Sequence, residues 1–264
     1  MRVVAGGRAR ARPNEDVGWP RRAGFDTDTV PQERTEAIVL RGVDFSETSR
    51  VVTFLTPNRG RMACMALGVR RAKSRLAPVL DTFNRVELIY YYKAGRNVQK
   101  LAEAALLDGY PHIKSNLDKS VFAAFPLELA YKAVQEDEPS EDVYDALMRG
   151  LESMARWDGD VRAHALWQVI QLVRLAGFEP DLDASGQGGS ERWSYAHGVA
   201  GPGNPSDRRI SKAALDTLRR LARSREACPP IDDAGEAFDA LRGYVTRQLE
   251  SDFRSLRVIA QMYP

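Results

Sequence analysis

Thr35-Glu36-Ala37-Ile38-Val39-Leu40-Arg41-Gly42-Val43, Ser49-Arg50-Val51-Val52-Thr53-Phe54-Leu55-Thr56 and Arg61-Met62-Ala63-Cys64-Met65-Ala66-Leu67-Gly68-Val69 follow one another closely. The runs are rich in β-formers and carry apolar residues at period two, which predicts three strands. Asp44-Phe45-Ser46-Glu47 between the first two suits a hairpin turn. Pro57-Asn58-Arg59-Gly60 gives a second turn, because proline presets φ while glycine or asparagine takes positive φ. Lys73–Leu80 predicts a short helical turn. Asn84–Tyr92 alternates again, placing Val86, Leu88, Tyr90 and Tyr92 on one face and Tyr91 on the other. Lys93-Ala94-Gly95-Arg96 turns the chain into a last strand, Val98–Leu107. Five strands with a small helical element between the third and fourth is the layout of an OB-fold barrel.

After Pro111 the apolar period becomes helical. Leu117, Val121, Phe125 and Leu129 share a face, with Pro126 expected to kink or restart the helix. Ser140 with Glu141 and Asp142, Asp160, and Ser211 each read as helix starts. Further helices are expected from about Gly235 and over Phe253–Ala260. Residues 178–209 contain no convincing element, an unusually long gap for a folded domain. The expected architecture is therefore α+β: an OB-fold β-barrel over residues 32–110, then an all-α domain over 111–264 with an irregular insertion. Residues 1–31 lack apolar periodicity and predict a disordered extension, with Val30 a candidate alternative start.

The 264 residues carry 38 Lys+Arg against 36 Asp+Glu, a net charge of +2 that argues against a dedicated polyanion binder. Resolved by segment, the balance is +1 for residues 1–33, +6 for 34–110 and −5 for 111–264. A basic barrel is thus joined to an acidic helical half, and a concentrated positive field attracts nucleic acid whatever the net charge. Two cysteines, Cys64 and Cys228, exclude a disulfide framework and a four-thiolate zinc site. No apolar run is long enough to span a membrane and no signal peptide is evident, so a cytoplasmic protein is expected.

The strongest constellation is basic: Arg59, Arg61, Arg70, Arg71, Lys73 and Arg75, with no acidic residue among them. Arg50, Lys93, Arg96 and Lys100 join it from neighbouring strands. OB-folds bind single strands with cations on the backbone and exposed aromatics on the bases, and Tyr91 is the stacking candidate. Catalytic signals are poor. Cys64 reads as a buried small hydrophobe, and His112, His164 and His197 as structural or solvated. The glycine-rich Ser185–Gly189 has no strand before it and no lysine after it. Asp232-Asp233 and the Asp181/Asp183 pair read as loop and cap residues. No nucleophile, base and orienter assemble, so neither an enzyme nor a cofactor is expected. A protein-interaction OB module with an incidental basic patch is the alternative reading.

Thr35–Arg41, Asp44–Val52 and Leu55–Gly60 together resemble the opening of the bacterial recombination mediator family RecO. Gly68–Leu76 looks like that family's basic motif, and Gly177–Leu182 like its approach to a zinc module. The resemblance covers roughly residues 33–262. It implies an OB-fold and a helical domain that bind single- and double-stranded DNA and anneal complementary strands without catalysis. It also implies work with RecR and single-stranded-DNA-binding protein to load RecA, in the cytoplasm at the nucleoid, by a chain monomeric on its own. The family's two Cys-x-x-Cys pairs correspond here to Ser185, Gly188, Gly201 and Asn204, so no zinc is expected. Lys132 beside Leu129 is the expected contact for the acidic, Phe-ending tail of single-stranded-DNA-binding protein.

Overall fold

In the computed structural model, which describes residues 30–182, 192–193, 200–201 and 208–263, the period-two segments close into a barrel. Its strands are β1 (Gln32–Asp44), β2 (Arg50–Thr56), β3 (Gly60–Ala66), β4 (Arg85–Tyr91) and β5 (Val98–Asp108), ordered β1-β2-β3-β5-β4. The long β1 serves two neighbours: Gln32–Ile38 pairs with β4 and Ile38–Asp44 with β2. An irregularity between Val39 and Arg41 bends the strand between these duties, as bulges do. A parallel pairing of β3 with β5 closes the ring. Alternation then fills the interior with Ala37, Val39, Val52, Phe54, Met62, Cys64, Val86, Leu88, Tyr90 and Leu101.

The link from β3 to β4 forms turns rather than the expected helix, with a single Leu80 N–H to Leu76 carbonyl closure. The reason is local. Pro78 has no N–H to donate, and the Asn84 amide captures the carbonyls of Pro78 and Val79, both at 2.9 Å. Helical elements follow as α1 (Pro111–Lys114), α2 (Leu117–Ala133), α3 (Glu141–Arg156) and α4 (Val161–Leu175). Pro126 sits inside α2 without ending it. The Ser140 hydroxyl donates to the Glu138 carbonyl instead of capping α3, whereas Asp160 caps α4 by accepting from the Arg162 N–H.

The stretch expected to lack structure contains β6 (Arg192–Trp193), β7 (Ala200–Gly201) and β8 (Arg208–Arg209), an antiparallel sheet ordered β7-β6-β8. Trp193 is fully buried, its ring 6.1 Å from Tyr244. Residues 1–29, Ser185, Gly188, Tyr195, His197 and Asn204 lie outside the described residues. The chain ends with α5 (Lys212–Arg223), α6 (Gly235–Gln248) and α7 (Arg254–Met262). Among the described residues no helix is long and apolar enough to cross a membrane, and no group of His, Cys, Asp and Glu could hold a metal.

The helical core extends onto the outer wall of the barrel, whose interior forms a separate cluster. Ile38, Leu40, Leu55 and Phe83 turn outward from the barrel and pack with Phe122, Leu147 and Leu151. Polar contacts reinforce the seam: the Tyr144 hydroxyl donates to Glu36 at 3.1 Å, and the Ser140 N–H to the Pro57 carbonyl at 2.8 Å. One wall and one turn of the barrel are thereby closed to any ligand.

Candidate nucleic-acid interface

The predicted basic set divides into three groups. Arg59 and Arg61 form the first, and both are taken up by the fold. The β2–β3 turn carries Arg59 into a bidentate pair with Glu33 (2.9 and 2.6 Å) and over the Tyr92 ring at 3.4 Å. Glu33 also accepts from the buried Tyr90 hydroxyl at 2.8 Å. The Arg59 guanidinium holds the Glu33 carboxyl below the usual carboxylate range, against the opposing effect of burial. Arg61 donates to the Tyr131 carbonyl at 2.9 Å and pairs with Glu136 at 3.2 Å. These two arginines fasten the barrel to itself and to the segment after α2, so each already has carboxylate partners in the fold.

The second group gathers at the opposite end of β3. Register places Asp44 beside Arg50, and Arg50 beside Ala66. Gly68, at φ +69°, turns the chain so that the Arg70 N–H reaches the Thr48 carbonyl at 3.0 Å. The Arg70 guanidinium donates to the Ser46 carbonyl at 2.6 Å and pairs with Asp44 at 3.2 Å, while Arg50 pairs with the same carboxylate at 2.9 Å. One carboxylate thus holds two arginines, clamping the β1–β2 loop to the chain leaving β3. Val69 and Leu80 plug the barrel from either end of the connection. Between those anchors Arg71, Lys73 and Arg75 are exposed, and no carboxylate among the described residues pairs with them.

Tyr91, Lys93, Arg96 and Lys100 make the third group, at the β4–β5 loop. Tyr91 and Lys100 are register partners, with the ammonium 5.3 Å from the ring centroid. The buried Gln99 pins the loop by accepting from the Lys93 N–H and donating to the Lys93 and Arg96 carbonyls. Lys93 is exposed. Register sets Lys100 beside Met65 of β3, next to the strand end that leads into Arg70 and Arg71, while the loop carrying Lys93 and Arg96 enters β5 at Val98, beside Ala63. Lys100 and Tyr91 thus lie between the β4–β5 loop and the end of β3 that carries Arg50 and Arg70.

Phe45 was not singled out in the sequence as a contact residue, yet its ring is 44% exposed in the loop that Arg70 clamps. The signal was available: an aromatic at a hairpin tip next to an acidic residue has no core to fill. Leu129 corrects the reading in the opposite sense. It is fully buried in the helical core, so no surface of its side chain meets a peptide. Lys132 donates to the Ser251 hydroxyl at 2.7 Å and lies 5.2 Å from the Phe253 ring centroid, bracing the α6–α7 link.

Cys64 is fully buried, which drives its thiol pKa upward, and His164 is buried between Trp157 and Trp167 with its pKa lowered to about 4. Neither touches the cationic groups.

Comparison with known proteins agrees with this architecture along nearly its whole length. Residues 30–110 match the family described as Recombination protein O N terminal, and residues 114–257 match Recombination protein O C terminal. A DNA repair protein RecO of Salinibacter ruber is 28% identical over 251 residues, covering 87% of this chain and 94% of the relative. One from Anaeromyxobacter dehalogenans is 27% identical over 255 residues, covering 89% and 98%. One from Exiguobacterium sibiricum is 32% identical over 165 residues, covering 62% and 65%. Matched through both its barrel and its helices, the chain belongs to the recombination protein O family.

Proposed function

We propose that this chain acts in DNA repair as a non-enzymatic strand-annealing mediator that grips nucleic acid with the exposed rim of its barrel. The observation that carries the reading is the Arg71–Arg75 loop: three exposed cations on a connection anchored by Val69 and Leu80, with no carboxylate among the described residues paired to them. Arg50 and Arg70 share Asp44 and so shape the loop more than they supply charge. Phe45 beside them, Tyr91 and Lys100 on the neighbouring strands, and Lys93 and Arg96 in the β4–β5 loop offer rings for bases and further cations for phosphates.

Annealing follows from charge. Cations bound to phosphates of two strands reduce their mutual repulsion while base edges stay free to pair. Single- and double-stranded DNA are both substrates for such a surface, since backbone contacts carry no sequence information. The acidic helical half supports docking of protein partners, and RecR and the tail of single-stranded-DNA-binding protein are those proposed for loading RecA. Lys132 is the proposed tail contact, reached when its ammonium exchanges Ser251 for a carboxylate, with Leu129 supporting the helix from inside.

Annealing of complementary oligonucleotides tests the reading, with the triple variant Arg71→Glu, Lys73→Glu, Arg75→Glu as the probe. Loss of at least tenfold in annealing rate at low salt, with thermal stability retained, is expected. Equal rates for the two proteins would overturn the reading in favour of a protein-interaction module.

A further inference from the structure

The acidic helical half contains one basic stretch. From Arg208 to Arg225 the chain carries seven cations and one carboxylate, Asp216, in a segment whose surroundings give residues 111–264 a net −5. Helix α5 sorts this charge. Ala214, Leu215, Leu218 and Leu221 are buried against the core. At about 100° per residue, Lys212, Asp216, Arg219, Arg220 and Arg223 all fall within a sector roughly 100° wide on the other side. Arg209 and Arg225 are exposed at the two ends of the helix, and Lys212, Arg220 and Arg223 along it.

The single carboxylate is already matched: Asp216 pairs with Arg219 at 3.5 Å, and Arg219 also donates to the Leu182 carbonyl at 2.9 Å. Arg220 donates to the Pro230 carbonyl at 3.0 Å, which orients its guanidinium without cancelling its charge. The Glu236 carboxylate next to the helix start accepts from the Ser211 N–H and hydroxyl. Lys212 and Arg220 stand about 12 Å apart along the axis, the rise of three to four duplex nucleotides at about 3.4 Å each. No large exposed apolar side chain lies between Arg208 and Arg225. A tail ending in a hydrophobic residue would find no socket there, whereas a phosphodiester backbone needs only the cations.

We propose that α5 is a second nucleic-acid backbone site, separate from the barrel rim. It packs on α4 and α6, whereas the barrel packs on α2 and α3, so the two surfaces share no element. One molecule then holds two strands at once, one on each surface, and annealing becomes an encounter within a single complex. The inference rests on the proposed strand binding by the barrel.

Two non-complementary oligonucleotides, one with a donor dye and one with an acceptor, test it by energy transfer in the presence of the full chain. The variant Lys212→Glu, Arg220→Glu, Arg225→Glu should bind the first strand within twofold of the unaltered protein. Its apparent affinity for the second strand should fall at least tenfold. The neutral variant Lys212→Gln, Arg220→Gln, Arg225→Gln should fall between them, and it carries the test if the reversed one fails to fold. Unchanged energy transfer in the folded variants overturns this inference alone. So does loss of the first strand as well, which would mean a single surface, or saturation of α5 by polyglutamate without displacement of the second strand. Absence of any strand binding by the unaltered protein overturns the barrel reading along with it.

Discussion

Arg59 shows how a cation that looks available in a sequence becomes structural. Its bidentate bond to Glu33 and its stacking on Tyr92 use both the charge and the plane of the guanidinium. Arg59→Gln should cost roughly 1–3 kcal/mol in chemical denaturation while leaving strand affinity within twofold. The Glu33 carboxylate, held below its ordinary range chiefly by Arg59, contributes stability that is complete above that range and is lost as pH falls through its folded value. His164 adds a second acid-sensitive contribution. Burial lowers its folded pKa from 6.5 to about 4, so the unfolded chain binds more protons between those values. Stability should therefore fall as pH drops from 6.5 to 4, by an amount on the order of 3 kcal/mol over the window, and be insensitive to this group above it. His164→Gln should flatten the dependence of Tm on pH across that range; an unchanged slope would assign the acid sensitivity elsewhere.

At the level of elements, the turn Pro57–Gly60 joins barrel to helices. Gly60 has φ +55°, and a Cβ there would lie 2.4 Å from the Glu138 carbonyl oxygen and 2.7 Å from that of Gln135. Gly60→Ala should therefore destabilise the chain by roughly 2–3 kcal/mol. Faster proteolytic cleavage within residues 134–140 should accompany the loss, because the Arg61 N–H to Gln135 carbonyl bond holds that segment. The five strands were legible because period two and turn chemistry are local: Val86, Leu88 and Tyr90 face inward as the alternation requires. The capping roles of Asp160 and Ser211 were legible for the same reason. What was not legible depends on distant partners. The bond from Arg61 to the Tyr131 carbonyl spans 70 residues, and no spacing rule reports it. The two-residue strands β6, β7 and β8 have no periodicity to detect. The expected turn of helix after Lys73 gave way to side-chain capture by Asn84, a competition that propensity does not weigh.

For the molecule as a whole, a net charge of +2 conceals a basic barrel and an acidic helical half, joined where the helical core packs on the outer wall of the barrel. The helical core closes one wall of the barrel, Glu33 and Tyr92 engage Arg59, and Tyr131 and Glu136 engage Arg61, so the proposed strand binding is assigned to the rim and the β4–β5 loop. Each cation engaged with a single-stranded phosphate should steepen the dependence of log K on log salt by about 0.7. The most direct test is the salt dependence of single-strand binding for the unaltered protein, for Arg59→Gln and for the triple variant Arg71→Gln, Lys73→Gln, Arg75→Gln. A slope shallower by about 2 for the triple variant, with Arg59→Gln parallel to the unaltered protein, is the predicted result. Equal slopes for the triple variant and the unaltered protein would contradict the assignment of strand binding to the barrel rim.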